Sequence, residues 1–79
     1  MKNNELPLSQ LQIGKTARVT SLASEGDARR RILDLGIING TEIEALYKSP
    51  SGNPVAYLIR NTVIALRSDV SSKIMVSEN

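Results

Sequence analysis

Turn and breaker residues cut the second half of this chain into pieces too short for helices, and this limits the fold more than any other feature. Asn39-Gly40, Ser49-Pro50-Ser51-Gly52-Asn53-Pro54 and Asn61-Thr62 are all turn or loop chemistry. Between and after them lie Thr41 to Lys48, Val55 to Arg60 and Val63 to Arg67. A strand needs about five or six residues, whereas a typical helix takes about eleven. In the first piece Ile43, Ala45 and Tyr47 alternate with Glu42, Glu44 and Leu46, the period of a half-buried strand. The other two form a hairpin around Asn61-Thr62. A two-residue turn there sets Arg60 opposite Val63, Ile59 opposite Ile64, Leu58 opposite Ala65 and Tyr57 opposite Leu66. One face, Val55, Tyr57, Ile59, Ile64 and Leu66, is assigned to the core. The other carries Ala56, Leu58, Val63 and Ala65 between Arg60 and Arg67.

The first half adds a strand and a helix. Thr16 to Leu22 alternates, with Ala17 and Val19 on one face and Arg18 and Thr20 on the other. Ser24-Glu25-Gly26-Asp27 resembles a capping box opening a helix from Ala28 to Leu35, on which Ala28, Ile32 and Leu35 make the expected buried stripe. Gly36 suits the left-handed position past its end, with Ile37 folding back on Ile32. Leu6 to Gly14 reads as one helical turn capped by Ser9 and plugging the core. Ser68 to Lys73 allows a single turn, and Ile74-Met75-Val76 closes as a last strand. The expectation is a mainly β fold, a closed or nearly closed barrel of about five strands, with one short helix between strands one and two.

A chain of 79 residues with 41% hydrophobic and 23% charged residues has room for one domain, spanning 1–79, with residues 1–5 expected to be unstructured. Its lack of cysteine and histidine excludes disulfides, thiolate zinc sites, Cys or His nucleophiles and imidazole bases. No enzyme and no cofactor are expected. A net charge of +2 is too small for a phosphate footprint, and the longest apolar runs fall far short of the ~20 residues that cross a bilayer. A cytoplasmic protein is expected, with neither nucleic-acid binding nor membrane insertion.

The order of these elements resembles the FeoA family, small accessories of bacterial ferrous iron transport built as an SH3-like barrel. The residues behind the resemblance are Pro7-Leu8-Ser9 with Leu11 and Gly14, Arg30 to Ile37 with Gly40, the loop Ser49 to Pro54, Ile64-Ala65-Leu66-Arg67, and Ile74 with Val76. Two departures, Asn39 before the turn glycine and Asn61 in the hairpin, are residues that tolerate turn conformations. The resemblance implies an SH3-like barrel that binds the membrane ferrous iron permease FeoB through its cytoplasmic part. The same barrel occurs as a C-terminal module of DtxR-type repressors, so the alternative is a metal-responsive module acting on a transcription factor.

Candidate binding residues follow from the outer face. An apolar stripe rimmed by arginine fits a protein interface, which nominates Leu58, Ala65, Arg60 and Arg67, extended by Leu33 and Arg30 on the helix. Arg29-Arg30-Arg31 spreads around the helix, with Asp27 and Asp34 four residues from Arg31 and Arg30, and reads as a solvated, internally paired face. Glu42 and Glu44 share a strand face; a charged outer surface is favoured over a cation site, and no metal ligands are assigned. Tyr47 and Tyr57 are read as core residues with wet hydroxyls.

Overall fold

Backbone pairing converts each of those short pieces into a strand. The computed structural model describes residues 5–79. The order is β1 (Glu5–Pro7), a 3-10 turn (Leu8–Gln10), β2 (Thr16–Leu22), α1 (Gly26–Asp34), β3 (Glu42–Lys48), β4 (Val55–Ile59), β5 (Thr62–Leu66), α2 (Ser68–Ser71) and β6 (Ile74–Glu78). The strands form one antiparallel sheet in the order β1-β6-β2-β3-β4-β5. The sheet is curled around its core, and β1 and β5 remain its two edges.

There is one strand more than the sequence suggests. β1 has only three residues, too few to show alternation, and it exists because Leu6 pairs with Val76 and Pro7 with Met75 of β6. The helix therefore falls between the second and third strands. Glu5, expected in an unstructured start, pairs with Ser77; the rest of that start, residues 1–4, lies outside the described residues.

Alternation fills the core. Ala17 and Val19 of β2, Ile43 and Ala45 of β3, Tyr57 and Ile59 of β4, and Ile74 and Val76 of β6 all point inward and are buried. Val55 and Ile64, assigned to the same face, are partly buried against this cluster. Fully burying an Ile or Val contributes roughly 1.5–3 kcal/mol. Leu8 and Leu11 close one end, as expected of a plug, although the turn is 3-10 and no side chain caps it. The Tyr57 hydroxyl donates to the Leu8 carbonyl at 3.4 Å, tying this plug to β4.

At the end of α1, Gly36 has φ +85°, Gly36 N–H donates to Leu33 O at 2.9 Å and Ile37 N–H to Ile32 O at 3.4 Å. This is the Schellman closure that the sequence suggests. The stripe is narrower than expected: Ile32 is the helix's only buried residue, and Ala28 and Leu35 are exposed. Glu25, not Ser24, occupies the N-cap position, without a side-chain hydrogen bond.

Candidate docking surface

The surface is built from the β4–β5 hairpin outward. Arg60 (φ 52°) and Asn61 (φ 66°) both lie in the left-handed region, which defines a two-residue type I′ turn one position earlier than Asn61-Thr62. Ile59 therefore pairs with Thr62, Leu58 with Val63, Tyr57 with Ile64, Ala56 with Ala65 and Val55 with Leu66. This corrects the expected register by two residues. A slip of one would have turned every side chain over, whereas a slip of two keeps each on its face. Leu58 and Ala65 are therefore diagonal neighbours rather than directly opposed, and both stay on the outer face.

β3 extends that face by an irregularity. The pairing shifts between Ala45 and Tyr47, so Ala45 faces Tyr57 while Tyr47 faces Ala56. The extra residue, Leu46, rotates Tyr47 out of the inward series, and it is 60% exposed. The reading of Tyr47 as a core residue is thus wrong, while Tyr57 is buried. Two rows run along the outer side of the sheet, Glu44–Leu58–Val63 and Tyr47–Ala56–Ala65, but Ala56, expected on the exposed face, is buried between its neighbours. Tyr47 and Val63 are the large exposed apolar side chains among them, and Leu58 is half-buried.

Beside the first row is an open cleft of about 410 Å³ lined by Thr16, Thr41, Glu42, Glu44, Leu58, Arg60 and Asn61. Leu58 supplies an apolar wall. Glu42 and Glu44 lie on one side with the cationic Arg60 near them, and Glu42 accepts a hydrogen bond from the Asn79 amide at 3.0 Å. Thr41 anchors the rim: its hydroxyl accepts from Ile38 N–H at 3.0 Å and donates to Gly36 O at 3.4 Å. The Arg60 side chain lies over Gly36, where an added Cβ would stand 3.0 Å from its Cδ. The hairpin turn and the end of α1 are therefore in contact. Such a cleft suits recognition of a polar or basic side chain beside an apolar one. Among the described residues no group of three or more Asp and Glu gathers as a metal cluster would.

The remaining candidates are spread out. Arg67 is exposed at the far end of β5, where it precedes α2. Leu33 and Arg30 are exposed on α1 and do not line the cleft. Leu35 and Ile38 are exposed beside Leu33 in the chain and went unnoticed in the sequence, Leu35 because it fitted the buried stripe. The arginine run is solvent-facing, but among the described residues the Asp27–Arg31 and Asp34–Arg30 spacings close no ion pair.

A family model described as the FeoA domain matches residues 6–78. An Fe(2+) transport protein A/Fe(2+) transporter FeoB fusion protein of Porphyromonas gingivalis is 33% identical over 69 residues, which cover 87% of this chain and 8% of that protein. The chain thus corresponds to a small part of that relative. Among solved structures, the FeoA-like protein of Clostridium acetobutylicum superposes with a TM-score of 0.90 at 31% identity, covering 98% of this chain and 90% of the other. The zinc-complexed FeoA of Stenotrophomonas maltophilia, described as a prokaryotic SH3 domain protein, gives 0.79 at 28% identity over 89% and 87%. IdeR of T. acidophilum gives 0.84 at 22% identity, over all of this chain and 36% of that protein, a likeness of fold alone. The mainly β, SH3-like fold expected from the sequence is the fold found. Among the described residues no helix is long and apolar enough to cross a membrane.

Proposed function

Because the chain belongs to the FeoA family, whose domain is linked to ferrous iron transport, we propose that it is a cytoplasmic accessory protein that binds the cytoplasmic part of a FeoB-type transporter. The observation that carries this reading is the Porphyromonas relative, in which a similar segment and a FeoB transporter share one polypeptide. Fusion raises the effective concentration of two parts that work together, and in separate chains a contact has to replace the covalent link. The outer face of β3–β5 supplies such a contact, with Leu58 and Ala65 at its centre and Arg60 and Arg67 at its ends. Leu33 and Arg30 join it where the partner reaches across the Arg60–Gly36 junction. The chain acts by binding, the carboxylates and guanidinium of the cleft making polar contacts beside the apolar wall of Leu58. The alternative of a module serving a transcription factor is supported only by the shared barrel.

Leu58→Lys tests this. Glu44 stands opposite Leu58, so a lysine finds a partner in the free protein where a glutamate would be repelled. Buried in an interface, the same charge weakens binding by at least about 2 kcal/mol. In a pull-down against the soluble cytoplasmic part of the transporter, the parent chain is retained and the variant lost, with circular dichroism unchanged. Equal retention of both removes Leu58 from the contact, and failure of the parent chain to bind overturns the reading.

A further inference from the structure

The hairpin leaves one sheet edge uncovered. β5 ends the strand order, and its type I′ turn makes Ile59 and Thr62, the pair flanking the turn, exchange both of their backbone hydrogen bonds. In an antiparallel ladder such pairs recur at every second residue. Ile64 and Leu66 therefore direct their amides and carbonyls toward β4, and Val63 and Ala65 direct theirs away. Among the described residues no backbone group outside the ladder bonds to Val63 or Ala65, and both residues are exposed. Thr62 to Leu66 contains no charge, proline or glycine, the features that ordinarily blunt an edge. The other edge, β1, is three residues long and includes Pro7, which has no N–H to offer.

Charge decides what this edge takes. Arg67, exposed just after the strand, is the cation at this edge, and Thr62 to Leu66 hold no acidic residue to answer it; the Arg60 side chain at the other end turns away over Gly36 and the cleft of Glu42 and Glu44. A second copy pairing antiparallel about Ile64 would satisfy the amides of Val63 and Ala65. It would also set the Arg67 of each copy opposite the uncharged Asn61 of the other, with no carboxylate to answer it. An acidic segment supplies that carboxylate. We propose that β5 is a strand-addition site for an extended segment of a partner protein, apolar at alternate positions and carrying Asp or Glu at the end that meets Arg67. Val63 and Ala65 give it main-chain hydrogen bonds in register, its apolar side chains continue the outer rows beyond Val63 and Ala65, and its terminal carboxylate meets Arg67. This inference goes beyond the transporter reading and does not depend on it.

The test uses the full chain and a synthetic peptide of alternating valine and threonine with paired glutamates at each end, followed by amide hydrogen exchange in NMR. Saturating peptide slows exchange at Val63 and Ala65 at least about tenfold, while amides already paired in β2 and β6 are unchanged. The same peptide N-methylated on its edge-facing amides no longer binds, and a version with lysine in place of glutamate binds at least about tenfold more weakly. Ala65→Pro removes one outward N–H without touching the β4 ladder and reduces binding; if it misfolds, the N-methylated peptide still decides. No protection at Val63 and Ala65, or equal binding of the glutamate and lysine peptides, overturns the proposal. Protection of the same two amides that grows with protein concentration without peptide also overturns it, in favour of a second copy of this chain.

Discussion

Single residues set both the shape and the pH sensitivity of the barrel. Gly36 holds φ +85° under the Arg60 side chain, a conformation that strains any β-branched residue. Gly36→Val is expected to lower stability by more than about 1 kcal/mol in chemical denaturation, through that strain and loss of the Schellman closure. Tyr57 is the other sensitive position. Burial pushes its hydroxyl pKa above the usual tyrosine value, and a hydrogen bond with Ser71 acts in the opposite direction. Below about pH 10 the phenol is neutral in both folded and unfolded chains, so it adds no pH dependence there. Above that, the unfolded chain loses the proton first and stability falls as pH rises. Tyr57→Phe removes Tyr57's share of that alkaline loss. At neutral pH it costs roughly 1 kcal/mol for the bond to the Leu8 carbonyl. Denaturation midpoints of both proteins at neutral pH and above pH 10 measure the two effects together.

At the scale of elements, α1 gives the barrel one buried side chain, Ile32. Ile32→Ala is expected to cost about 2–4 kcal/mol, whereas Leu33→Gln, at an exposed position, changes stability by less than about 0.5 kcal/mol. Equal losses in a denaturant titration would mean that Leu33 is packed. The same element shows what a sequence conveys and what it withholds. Its stop was legible because glycine followed by an apolar residue is a local signal, whereas the width of its buried face depends on how the helix sits on the sheet. The hairpin was legible from its breakers and its faces from alternation. Its register was not, because placing Arg60 at positive φ contradicts the ordinary preference that pointed to Asn61-Thr62. Tyr47 was misplaced for a related reason: a bulge at Leu46 leaves no mark in an alternating pattern. β1 was missed because three residues acquire a strand's identity only from β6. The candidate surface was therefore readable as a face, and its cleft, which joins β3, the hairpin turn and Thr41, was not.

For the whole molecule, the barrel places an apolar, arginine-ended face outside a core that contains no aromatic but Tyr57. The proposed place in iron transport does not require the chain to hold iron. With only carboxylates as charged ligands, Fe²⁺ and Zn²⁺ are expected to bind more weakly than about 10 µM; a one-to-one, sub-micromolar calorimetric isotherm would instead assign Glu42 and Glu44 a ligand role. Whether the outer face of β3–β5 meets a transporter is tested most directly by an NMR titration of isotope-labelled chain with the soluble cytoplasmic part of FeoB. Resonance changes are expected to concentrate at Leu58, Arg60, Val63, Ala65 and Tyr47, with Ile74 and Val76 in the core unchanged. Changes confined to β1 and β6, or none at saturating transporter, would contradict this expectation.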